Sequence, residues 1–272
     1  MTSSKTYVIA WEGAIDNCVD ISRQLLEGNV SHVFYNVSSL ENQSSHWQTT
    51  DDVRYYNHFF RAIEDFLSTE NDVFIFNSGD IQYADYAGLT AGIENLFDEN
   101  DGLAVFAPDA TNNIYSGWGS LVEDSSKYNH MYLSTNTDGL YVSMSREMAT
   151  YMSNFHSWSV TTKQIDFSKM TSGWGLDHIY CSLAIYLNKI IYRDRSVVVH
   201  HPVGQSYSEE VAVREFYQIM QSFLKFSEEI LEFDSSRLRH IINQTLGKIK
   251  DNNREPLGKE AVYTDLEAVR DA

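Results

Sequence analysis

A chain of 272 residues, 43% hydrophobic and 13% aromatic, can bury one large core, which excludes global disorder and leaves room for one catalytic domain with a helical appendage. A formal net charge of -18 and a pI near 4.7 repel phosphate backbones, and Lys and Arg form no run, so general nucleic-acid binding is not expected. The two cysteines, Cys18 and Cys181, sit in apolar surroundings and imply neither a disulfide framework nor a thiolate metal site.

The apolar run from Tyr7 to Trp11 reads as a first strand. It is too short for a signal-peptide core, and no run reaches membrane-spanning length, so a cytoplasmic enzyme is expected. Ile15, Val19 and Leu26 mark a helix, and His32 to Asn36 a second strand, completing a βαβ unit. The polar stretch Ser38 to Asp52 reads as a loop. Phe59, Ile63 and Phe66 mark the next helix, Val73 to Asn77 a third strand, and Tyr86, Leu89, Ile93 and Leu96 a further helical face before the strand Leu103 to Ala107.

Residues 1–107 thus resemble a Rossmann-like nucleotide-binding half, and 108–203 an acceptor-side half with antiparallel additions. In that second half the regular alternation lapses from Pro108 to Lys127. It resumes with the strand Leu140 to Ser145, a short helix Arg146 to Met152, helical periodicity from Asp177 to Asn188 and a Val-rich strand Ser196 to His200. Residues 204–250 read as C-terminal helices. In the first, entered by Ser206-Tyr207-Ser208-Glu209, the positions Ala212, Phe216, Ile219, Phe223, Phe226 and Ile230 form one apolar stripe. Docking on its own domain is the first use for that stripe and homodimerisation the second. The second helix carries Leu238, Ile241, Ile242 and Leu246, and residues 251–272 form a polar tail.

Three features carry chemistry. Asp80 follows a buried strand in Ser78-Gly79-Asp80, at the sheet edge where open α/β folds bind ligands, and its carboxylate suits a divalent cation; a turn or helix cap is the plainer use. Gly173-Trp174-Gly175-Leu176-Asp177 presents an acid and an aromatic face at a helix start, suiting a general base and a sugar-stacking surface, or simply a cap. His200-His201 ends a strand, so period-two alternation sends one imidazole toward the site and the other away.

Taken in order, these features resemble the GT-A glycosyltransferases over residues 7–202. The resemblance implies an α/β fold with a mixed sheet flanked by helices, a nucleotide-sugar donor and a hydroxyl-bearing acceptor, a glycan foremost. By resemblance Asp80 and His200 hold a divalent metal, Mn or Mg, on the diphosphate, and Asp177 acts as the base, which predicts inversion at the anomeric carbon. Ala10, Trp11, Glu12, Arg54, Asn57, Ser78, Gly79, Asp138, Gly173, Trp174 and Gly175 then border the donor. The family has two acids bracketing one residue where this chain has Ser78-Gly79-Asp80, so metal binding leans on His200.

Two other readings compete. Ser78-Gly79-Asp80-Ile81 is similar to the Gly-Asp element of calcineurin-like metallophosphoesterases, yet the chain lacks their early Asp-x-His and their Gly-Asn-His-Glu element. A non-catalytic nucleotide-sugar-binding module fits the same single acid.

Overall fold

Successive residues of the strand Ser4–Ala10 (β1) feed two different cores, Tyr7 and Ile9 one, Val8 and Ala10 the other. A strand buried on both faces needs helices on both, and the chain supplies them. The structure, a computed structural model, describes residues 2–111, 121–124, 131–134, 137, 139–202 and 208–242.

In chain order β1 is followed by α1 (Ile15–Glu27), β2 (His32–Asn36), β3 (Trp47–Thr49), α2 (Tyr55–Leu67), β4 (Val73–Ser78), α3 (Tyr86–Asp98) and β5 (Leu103–Thr111). Then come β6 (Leu121–Asp124), β7 (Met131–Ser134), β8 (Tyr141–Ser145), α4 (Arg146–Thr161), α5 (Leu176–Tyr186), β9 (Ile190–His200) and α6 (Glu209–Glu229). Among the described residues the strands form one 9-stranded sheet in the order β3-β2-β1-β4-β8-β5-β9-β7-β6. β1 pairs in parallel with both β2 and β4, and β5 with β9, while β8, β7 and β6 are antiparallel additions. Helices α1 and α3 cover one face; α2, α4, α5 and α6 cover the other.

Several elements differ from the sequence expectation, each for a physical reason. On α1 the buried residues are Cys18, Ile21 and Leu25, whereas Val19 and Leu26 are 37% and 45% exposed. The helix is rotated by one residue, about 100°, from the face expected. The supposed loop after β2 contains β3, whose Trp47 stacks on Phe34 at 4.7 Å, a single aromatic anchor too short to show a period. Helix α4 runs to Thr161 because Phe155 continues its buried face. Strand β9 begins at Ile190, six residues early, because the buried Arg193, paired with the partly exposed Asp109, hides a central strand behind charges.

Helix α6 begins at Ser208, whose Oγ accepts from the Val211 amide at 3.4 Å. Its stripe, Ala212 through Phe226, is buried, and Phe155 of α4 meets Phe223 and Phe226 edge-on at 5.8 and 5.6 Å. Residues 235–242 are also helical, with Leu238, Ile241 and Ile242 buried. The apolar face expected to serve docking or dimerisation is therefore occupied by its own chain, and only Ile230, 52% exposed, is left out. Leu246 and the polar tail from Asp251 lie outside the described residues. No helix among the described residues is long and apolar enough to cross a membrane.

Candidate functional site

The chain leaves β1 toward β2 on one side and returns as β4 on the other, which opens a crevice at their carboxyl ends. Gly79 stands at that switch point. Its amide donates to the Ile9 carbonyl at 2.9 Å, and a Cβ there would collide with the same carbonyl oxygen and with Cys18 Sγ. Backbone cannot yield as a flexible side chain does. Gly79→Ala is therefore expected to cost roughly 2 kcal/mol by overpacking, read from the urea midpoint; a change within about 0.5 kcal/mol would show the contact to be soft.

The backbone after Gly79 is held from two sides. Asn17 Nδ2 donates to the Gly79 and Ile81 carbonyls at 2.8 and 2.6 Å. Gln82 and His200 exchange two backbone hydrogen bonds of 2.8 Å, tying the end of β9 to this loop. That clamp decides which imidazole reaches Asp80. His201 Nε2 lies 3.2 Å from Asp80 Oδ2, whereas His200 Nδ1 lies 3.0 Å from Thr111 Oγ1. The expectation set His200 with Asp80; alternation predicts that two neighbours diverge without saying which one turns inward, and the imidazole beside Asp80 is that of His201.

Asp80 Oδ1 is buried and has no hydrogen-bond partner. Burial pushes this carboxyl up, but hydrogen bonds from His201 and Ser78 outweigh it and hold the group below its usual range. Burial, together with the Asp80 charge, pushes the neighbouring Cys18 thiol up to about 12, so it is an inert packing group. A buried carboxylate oxygen without a partner, beside an imidazole, fits a divalent cation such as Mn or Mg. No group of three or more His, Cys, Asp or Glu converges among the described residues. Asp80 and His201 would therefore hold such an ion together with non-protein oxygens.

The other half of the site is built against β8. The Ser78 amide donates to the Leu140 carbonyl at 2.9 Å, so Gly139 and Leu140 adjoin the Asp80 loop. A Cβ on Gly139 would lie 3.9 Å from Asp177 Cβ, which brings Asp177 to the same edge. Tyr55 Oη donates to the Gly139 carbonyl at 2.5 Å, and Tyr56 Oη to the Trp174 carbonyl. Gly173 and Gly175 both have φ of +97°, and a Cβ on Gly173 would enter the Tyr55 ring, so glycine is required there twice over. Asp177 sits in the first turn of α5 with a side chain 23% exposed, 3.9 Å from His178 Nε2. Trp174 is half-buried against the core.

The remaining expected donor residues organise loops around the crevice. Trp11 Nε1 donates to Ser78 Oγ at 3.1 Å. Ala10 is fully buried, and its carbonyl accepts from the Val37 amide at 3.2 Å. Glu12 accepts from the amide and hydroxyl of Ser39 at 2.6 and 2.7 Å. Arg54 and Asn57 both donate to Asp52, and Arg54 drives that carboxyl well below the usual carboxylate range. Asp138 lies outside the described residues.

Sequence reading missed His201, Asn17 and Asn36. Asn36 bonds Leu40, Asn42 and Ser38 and shapes the loop after β2. An Asn at a strand end was the available signal, and it is a common one. A separate groove of about 630 Å³ runs between residues 164–170 and α6, and none of the site residues expected from sequence lines it.

No protein-family model matches this sequence, and no curated protein matches it. Among solved structures, GalNAc-T7 with UDP, GalNAc and Mn2+ is similar at a TM-score of 0.54 and 10% identity, over 89% of this chain and 55% of that one. The chain has a GT-A fold. It spans about half the length of the GalNAc-T7 chain. Two further structures resemble this chain at lower scores. A197 from STIV has a TM-score of 0.45 and 13% identity over 75% of this chain and 87% of that chain. UDP-glucose pyrophosphorylase from Acinetobacter baumanii has 0.42 and 10% over 90% and 99%.

Proposed function

We propose that this GT-A chain is a glycosyltransferase that moves a sugar from a nucleotide-diphosphate donor to a hydroxyl acceptor, a glycan foremost. The observation that carries the reading is the buried, partnerless Asp80 Oδ1 beside His201 at the switch point of the sheet. Leaving a charged oxygen buried and unsatisfied costs stability, which is the mark of a group kept for a ligand. Asp80 and His201 would hold Mn or Mg, and that ion supplies neutralisation of the leaving diphosphate. Trp11 and the loops pinned by Glu12 and Asn36 border the donor.

Asp177 takes the proton from the acceptor hydroxyl as its oxygen attacks the anomeric carbon. The bond from that carbon to the diphosphate oxygen breaks, and its electron pair leaves with the diphosphate. A single in-line displacement inverts the anomeric centre, which proton NMR of the product reads directly.

The test starts from UDP-sugars, because the GalNAc-T7 structure was solved with UDP. Mn-dependent release of UDP or another nucleoside diphosphate supports the reading. Nucleotide binding with no turnover on any acceptor would sink it and leave a non-catalytic binding module. The two histidines give a sharper check by calorimetry with Mn and UDP. His201→Ala is expected to weaken Mn binding at least about tenfold, while His200→Ala changes it by less than about threefold. Equal effects would show that the imidazole beside Asp80 has no special part.

A further inference from the structure

We infer that Glu215 of α6 is a positioning residue for the segment that carries Asp177. Its catalytic consequence rests on the glycosyltransferase reading; its structural consequence does not. Glu215 is 3% exposed, a burial rare for a carboxylate that is not strongly bonded. One oxygen accepts from the Thr171 amide at 2.8 Å and the Thr171 hydroxyl at 3.0 Å, and the other accepts from the Ser172 amide at 2.8 Å. Ser172 Oγ in turn accepts from the Trp174 amide at 3.2 Å. A chain of hydrogen bonds thus runs from α6 into the turn before α5.

Helix α6 grips the far end of the same turn. A Cβ on Gly175 would lie 2.7 Å from Ile219 Cγ2 and 3.2 Å from Phe216 Cδ2, so the backbone rests directly on α6. Phe216 also meets His178 edge-on, 5.4 Å between centroids and 85° between planes. Between these anchors lie Gly173 and Gly175, whose freedom lets the chain reach φ of +97° but supplies no preference for staying there. The direction in which Asp177 points is therefore set by contacts from outside the turn. Among those, Glu215 contributes charge-assisted hydrogen bonds, the strongest kind available to two backbone amides.

The experiment compares Glu215→Gln with Phe226→Leu, a core substitution on the same helix away from the turn. Glu215→Gln keeps the shape but loses the charge and places an NH2 where an acceptor is needed. Amide exchange across residues 171–177 is expected to speed up at least about tenfold in Glu215→Gln, with β5 unchanged, and to stay near wild type in Phe226→Leu. Transfer is expected to show a kcat about tenfold to a hundredfold lower in Glu215→Gln with the donor KM unchanged, the pattern of a misplaced base. Unchanged exchange in Glu215→Gln, or equal acceleration in both variants, overturns the inference. Faster exchange with an unchanged kcat overturns its catalytic part. A wild-type protein that turns over no donor sinks the glycosyltransferase reading, and the exchange result still decides the role of Glu215.

Discussion

Asp80→Asn is expected to lower donor turnover by at least about a thousandfold with only a modest fall in the melting temperature of the metal-free protein. Hydrogen bonds from His201 and Ser78 outweigh the burial of the Asp80 carboxyl and hold it below its usual range, so folding favours the charged form and the variant gives up that gain. Asp80 Oδ1 takes no part in it, being buried without a partner. What disappears is the ligand effect: Mn with UDP at about 100 times its dissociation constant should stabilise the wild type by roughly 2.7 kcal/mol, and the variant by close to none.

The pH dependence has a definite sign. Because hydrogen bonds from His201 and Ser78 hold the Asp80 carboxyl below the usual carboxylate range, it stays ionised as the pH falls through that range. Metal-dependent turnover therefore loses no Asp80 charge above about pH 5, and an acid limb there belongs to another group. A variant that still turns over donor at wild-type rate, or that Mn with UDP stabilises as much as the wild type, would make Asp80 a structural cap.

Asp177→Asn is the second large effect, an expected loss of about 10² to 10⁴ in the kcat of transfer with donor binding retained. Asp177 shares an edge with the Asp80 loop through a short route: Ser78 bonds Leu140, Gly139 adjoins it, and Asp177 lies against Gly139. An isosteric amide cannot accept the acceptor's proton but preserves the helix start, so the fold is not at risk. The measurement is a split of kcat from donor KM at saturating acceptor. A fall in donor affinity with unchanged kcat would assign Asp177 to donor binding and withdraw it as the base. Retention of configuration in the product would also remove the base role, because the hydroxyl would then attack from the other side.

Much of the scaffold was legible from local pattern. His32–Asn36 was bounded correctly, and Phe59, Ile63 and Phe66 on α2 and Tyr86, Leu89, Ile93 and Leu96 on α3 are the buried faces expected. Such positions follow from a period of two or 3.6 residues, which a chain carries within a few turns of itself. Val19 and Leu26 mark where this logic slips, because α1 offered two adjacent apolar faces and only packing against the sheet chose between them. In β9 the pattern was hidden altogether, since a buried Arg193 reads as surface until its partner Asp109 is known.

By itself the sequence determined an α/β chain with Asp80 at the end of a buried strand and Asp177 at the start of a helix. Both are local facts of apolar runs followed by Gly and Asp. The tertiary structure alone decided that His201 meets Asp80 across a separation of 121 residues, and that Glu215 holds the turn before Asp177 from 43 and 44 residues away. Those meetings depend on strand order, on the Gln82–His200 clamp and on where α6 docks, and a periodic pattern encodes which face is buried but not what lies opposite it.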